Sequence, residues 1–197
     1  MNNKRKGSNF EREVGKILTT AYYPEGDGMF QRIYSHPIPA KGEVMGDLKA
    51  MKYMLTDPET GDKSLVLDNS WPFNVECKNY IDIKPFYSGL YGKETELFEW
   101  LEQAREVSKK ENKKPLVVFK LFRSYTICVM DSLDFEELLV AFGSCPKKTY
   151  RLSSQDRDKK RTIYLILLSD LLEWIDIGYY KNRRYIRSLV QKMAREA

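Results

Sequence analysis

Phe73-Asn74-Val75-Glu76-Cys77-Lys78-Asn79-Tyr80 is the stretch from which the rest of this chain can be read. It predicts a β-strand. Side chains alternate faces along a strand, so Glu76 and Lys78 share one face while Val75 and Cys77 share the other. A carboxylate able to hold a cation then stands beside an ammonium. An aspartate arriving from the preceding segment, Asp47 after Gly46, would complete a way to fix a divalent metal next to a water and a phosphate. Taken alone the triplet says little: E-x-K arises by chance in many chains, and a same-face ion pair on a solvated strand is its ordinary meaning. Asp47 behind a glycine could equally be a turn residue.

Working outward, Ser8 with Glu11 three residues later has the form of a capping box. Phe10, Val14, Ile17 and Leu18 follow at helical spacing, predicting a helix over 8–22 that Pro24, Gly26 and Gly28 end. Strands are expected over 29–34 and 44–55, the second carrying Asp47, with a loop around His36. A hairpin-like insertion is expected over 56–70, where Asp57-Pro-Glu-Thr-Gly-Asp62 is dense in turn formers. After the central strand come a helix over 94–110, strands over 115–122 and 125–130, and a short helix over 134–142 stopped by Gly143. The polar segment 147–161 reads as an exposed loop. A strand over 162–168, a helix from Ser169 to Trp174 and a basic helix from Tyr180 to Ala197 close the chain. Helix, strands, helix, strands implies a mixed β-sheet flanked by helices, an α/β fold.

Composition sets the bounds. The 197 residues suit one domain, and with 42% hydrophobic and 13% aromatic residues the chain can bury a core. The net charge of +5 is unevenly placed: Lys4-Arg5-Lys6 opens the chain, and Lys181, Arg183, Arg184, Arg187, Lys192 and Arg195 crowd its end. Basic ends suit a polyanion, or are simply solvated termini. Cys77, Cys128 and Cys145 are odd in number and lack C-x-x-C spacing, which argues for reduced thiols. His36 is the only histidine, so a Cys/His zinc site is not expected. No apolar run approaches a membrane span and the basic start has no apolar stretch behind it, so a cytoplasmic protein is expected.

Lys6-Gly7-Ser8-Asn9-Phe10-Glu11-Arg12-Glu13, Gly46-Asp47 and Glu76-Cys77-Lys78, in that order, resemble the PD-(D/E)xK nuclease superfamily. Within it they are similar to archaeal-type Holliday junction resolvases and their phage relatives, whose opening pattern is K-G-x-x-x-E-R-E. The resemblance implies a restriction-endonuclease-like mixed sheet flanked by helices. It assigns residues 1–130 to the nuclease core and leaves 131–197 as a helical C-terminal extension packed on that core. It implies Glu11, Asp47, Glu76 and Lys78 as the catalytic set. Asp47, Glu76 and the Cys77 backbone carbonyl would hold Mg²⁺, for which Mn²⁺ can substitute, with Glu11 reaching the metal directly or through water. Arg32, Ser35 and Gln103 lie where such enzymes keep an arginine, a serine and a helical glutamine near the scissile phosphate. Lys6, Arg12 and Lys84, with Arg183, Arg184 and Arg187 of the last helix, are the further expected DNA contacts. The chain departs from the pattern in having Gly46 before the aspartate, a long insertion before Glu76, and its last 60 or so residues.

Three functions follow as expectations. One is an Mg²⁺-dependent endonuclease of branched DNA, with metal-activated water as nucleophile; symmetric paired nicks would then require a homodimer. Another is a restriction-like or general endonuclease on duplex or single-stranded DNA. The last is a silent DNA-binding module of the same fold, which the intact Glu11, Asp47, Glu76 and Lys78 argue against. The small size and basic ends suit a phage protein acting in its host's cytoplasm.

Overall fold

The computed structural model describes residues 3–32, 47–53, 61, 65–68, 70–79, 96–121, 125–154 and 161–175. The first element, α1, spans Asn3–Tyr22. Ser8 is therefore inside the helix, and the capping box expected there does not start it. Lys4-Arg5-Lys6 are good helix formers, and Gly7 costs only about 1 kcal/mol, so the helix runs through. Phe10, Val14 and Leu18 turn inward, whereas Ile17 stays 36% exposed at the rim of the stripe.

Four strands follow: β1 (Gly28–Arg32), β2 (Leu48–Tyr53), β3 (Leu65–Leu67) and β4 (Phe73–Lys78). β2 pairs antiparallel with β1 along its length, with β3 at its far end, and with β4 at Leu48↔Val75. β3 lies within the 56–70 insertion, which thus folds back onto β2. Asp47 does not lie on a strand as expected but immediately before β2.

A crossover helix, α2 (Glu96–Glu111), leads from β4 to its parallel neighbour β5 (Lys114–Leu121), and β6 (Tyr125–Asp131) returns antiparallel. Asp131 then accepts the Leu133 N–H and caps α3 (Ser132–Phe142), which Gly143 ends at φ 73°. β7 (Thr149–Ser153) and β8 (Thr162–Leu167) complete an eight-stranded sheet of order β1-β2-β4-β5-β6-β8-β7, with β3 beside β2. A final described helix, α4, covers 168–175.

The expected loop over 147–161 is corrected by β7. Leu152 is its one buried side chain, so it carries no apolar alternation, and pairing with β8 is what makes it a strand. The result is the expected class: a mixed sheet, antiparallel except at β4–β5, flanked by helices in the manner of restriction endonucleases.

Two cores form, one on each face. On one face α1, α3 and α4 bury Phe10, Leu18, Phe135 and Leu171 against Val75, Leu116 and Val118. On the other, α2 lays Leu97, Leu101 and Ala104 over Val117, Phe119 and Val129. All three tryptophans are buried, as core rather than as stacking platforms. Trp71 meets Tyr22, Phe30 and Phe73 at ring distances of 5.0, 4.9 and 5.4 Å, locking α1 and β1 to β4. At Gly28 an added Cβ would come within 2.5 Å of the Met51 carbonyl oxygen and the Tyr23 ring, so close approach demands glycine. Residues Tyr180–Ala197, expected as a basic helix, lie outside the described residues.

Candidate active site

The end of β1, the threshold of β2 and the end of β4 meet at one end of the strands of the sheet. Asp47 is fastened there twice. Its N–H donates to the Val75 carbonyl at 2.9 Å, and its carboxylate Oδ2 accepts the Cys77 N–H at 2.7 Å. The side chain thus takes up a backbone donor of β4 that would be costly to leave unpaired in a half-buried place. This links the sequence position before a strand to a carboxylate held in fixed register with Glu76.

On β4, Lys78 Nζ donates to Glu76 Oε1 at 2.9 Å and lies 3.4 Å from Gln103 Oε1 of α2. Glu76 and Lys78 therefore share the α2 face, as alternation requires, while Cys77 packs against the α1 side. Glu11 of α1 forms an ion pair with Arg32 at the end of β1. Glu13 is exposed and accepts from Lys120 of β5 at 2.5 Å.

The electrostatics concentrate on Asp47. Its carboxyl is pushed up to about 7, first by burial, then by the negative charges of Glu76 and Glu11; the Cys77 hydrogen bond and the Lys78 charge oppose this. The Cys77 thiol is held well above its ordinary value by burial and the neighbouring carboxylates, so it stays neutral. The free cysteines are Cys77, Cys128 and Cys145, as reduced thiols would be.

The donor set is made of carboxylate oxygens, which suits a hard divalent cation. The raised Asp47 carboxyl marks a place where a cation would relieve the repulsion among Asp47, Glu76 and Glu11. Among the described residues no group of three or more His, Cys, Asp or Glu side chains is already arranged to hold an ion. Glu11 is turned onto Arg32 and Glu76 onto Lys78.

The structure thus brings Asp47, Glu76, Lys78 and Gln103 together and pairs Glu11 with Arg32 beside them. Arg12 is exposed on α1. The Lys6 side chain, Ser35, His36, Gly46, Lys84, Arg183, Arg184 and Arg187 lie outside the described residues. Lys120, on the sheet face opposite Glu76 and Lys78 and paired with Glu13 of α1, is a cation that sequence reasoning passes over. It does leave a signal: it is the lone charge within an apolar run, Leu116-Val-Val-Phe-Lys-Leu-Phe122.

A family model described as "Phage putative PDDEXK endonuclease" matches residues 2–182. The chain belongs to this family. Membership makes it an endonuclease of the PD-(D/E)xK kind, a hydrolase acting on nucleic acid. The family match runs past β6 through β7, β8 and α4, so it includes the last two strands of the sheet. No curated protein and no solved structure matches the chain. Among the described residues, no helix is long and apolar enough to cross a membrane.

Proposed function

We propose that this PDDEXK endonuclease cuts branched DNA in an Mg²⁺-dependent reaction, acting as a homodimer that places one nick on each side of a junction. The observation that carries the metal reading is the Asp47 carboxylate clamped to the Cys77 N–H beside Glu76, with its own pKa driven up to about 7. Asp47, Glu76 and the Cys77 carbonyl would hold the metal, and Glu11 would join them directly or through water. When bound, the metal lowers the pKa of a water and polarises the phosphate.

The chain's own residues do the rest. Asp47 is already fixed in place, which spares the reaction the cost of ordering it. Lys78, braced by Gln103, can leave Glu76 and turn its ammonium toward negative charge building on the phosphate oxygens. Arg32 holds Glu11 near the site and offers a cation for the adjoining phosphate. Preference for branched DNA is supported by Lys6-Gly7 with Glu11-Arg12-Glu13, the resolvase-like opening, whose glutamate the structure sets against Arg32.

The test is a labelled four-way junction against a linear duplex of the same sequence, with Mg²⁺ or EDTA. Symmetric nicking of the junction alone, lost in EDTA, is expected. Equal cutting of the duplex would make the protein a general endonuclease. Cutting that persists in EDTA would remove the metal from the mechanism.

A further inference from the structure

The sheet face that carries Glu76 and Lys78 continues beyond α2 as an open aromatic surface. In the register of the sheet Lys78 stands opposite Phe119, Phe119 opposite Ile127, and Ile127 opposite Leu167. One row further in, Glu76 leads through Val117, Val129 and Leu165 to Tyr150 on the edge strand β7. Directly opposed residues lie on one face of a sheet, so Tyr150 is on the Glu76 side. Tyr125, two residues before Ile127, is on that side too. α2 packs on β4, β5 and β6. Past it, Tyr125 is 59% exposed and Tyr150 64% exposed. Between them lies a groove of about 310 Å³ lined by Tyr125, Ile127, Lys148, Tyr150, Leu165 and Leu167.

We propose that this groove is a track for unpaired DNA, with Tyr125 and Tyr150 stacking on bases and Lys148 meeting the backbone. Continuity and chemistry both support it. The groove is on the same face and at the same end of the sheet as the candidate phosphodiester site. Tyr125 is two strands from Lys78, about 10 Å across the sheet, which is about three base steps of stacked DNA. Ring faces beside a cation suit unpaired nucleotides of any sequence, because every base has a π-face to stack. A duplex keeps those faces covered. The tyrosines tolerate water through their hydroxyls, so the surface can stay open until a strand fills it. The inference rests on the proposed cleavage of branched DNA for where the strand leads, and it adds that junction strands come unpaired beside the cut and enter this groove.

The test is anisotropy of a fluorescent oligothymidine and of a blunt duplex of equal length, in EDTA. Tyr125→Leu and Tyr150→Leu should each weaken oligothymidine binding by at least about fivefold and leave duplex binding nearly unchanged. Tyr125→Phe and Tyr150→Phe, which keep the ring, should bind like the wild type. Oligothymidine binding that survives in the leucine variants overturns the proposal, as does an equal loss on duplex. Leucine variants that run as a smaller assembly in gel filtration, with unchanged oligothymidine affinity, would instead make the face a contact between two copies. Because these are binding readouts without metal, a wild type that cuts no DNA in Mg²⁺ would refute the proposed Mg²⁺-dependent cleavage separately.

Discussion

Replacing Asp47 by asparagine removes a charge while keeping the shape and the oxygen that accepts the Cys77 N–H. Two outcomes should then separate. Without metal, the wild type carries a penalty from this group, because its carboxyl sits at about 7 in the fold against an ordinary 3.8. A raised carboxyl contributes stability that is complete below 3.8 and is lost as pH rises through about 7. The full difference corresponds to about 4 kcal/mol. Asp47 is half-buried, so water screens part of this; we expect at least about 1 kcal/mol to remain, or about 2–4 °C in Tm for a chain of this size. Asp47→Asn should therefore melt higher than the wild type in EDTA at pH 8, and the gap should close toward pH 4. In Mg²⁺ the order should shift the other way, since a ligand that binds only the folded state stabilises it and the variant lacks a carboxylate to bind it. The same variant should not cleave DNA. Thermal melts across pH, with and without Mg²⁺, decide the matter. A variant no more stable than the wild type at pH 8 in EDTA refutes the electrostatic reasoning. Equal stabilisation of both proteins by Mg²⁺ refutes the metal assignment.

Glu11→Gln keeps a side chain able to reach Arg32 but loses the charge. Junction cleavage should fall at least about tenfold, while a chemical melt registers less than about 1 kcal/mol, as for a partly exposed ion pair; equal loss of both would indicate a folding role alone. Gly28→Ala forces a Cβ onto the Met51 carbonyl and the Tyr23 ring, and should cost about 1–3 kcal/mol in urea unfolding; an unchanged midpoint would show that β1 can shift freely. Replacing Arg183, Arg184 and Arg187 together by alanine should weaken duplex binding equally for all sequences. It should also flatten the salt slope by close to one unit for each phosphate that those arginines neutralise. An unchanged slope would place them in solvent.

The parts of the fold that are legible in the sequence are those whose signal is local. Period-two alternation in Phe73–Lys78 is enough to separate Val75 and Cys77 from Glu76 and Lys78. The stripe of Leu97, Leu101, Ala104 and Val107 marks α2 as the helix over the sheet. Gly143 announces the end of α3 by the left-handed turn it alone takes easily. The start of α1 is not legible in this way, because a sequence that can cap a helix need not do so when the residues before it are helix formers. β7 is hidden because an edge strand with Leu152 as its single buried residue leaves no periodic mark. The order of acid, aspartate and E-x-K is likewise a matter of sequence, and it points to a nuclease by resemblance. What only the tertiary structure decided is which of these groups meet. Asp47 is tied to β4 because β2 starts at Leu48 and the Cys77 N–H must find an acceptor. Glu11 meets Arg32 because Tyr22 packs α1 against Phe30 of β1 and against Trp71. β8 lies between β6 and β7, which puts Tyr150 and Lys78 on one open face. Periodicity fixes which way a side chain turns on its own element; burial and backbone pairing between distant segments choose its neighbours, and no local pattern records that choice.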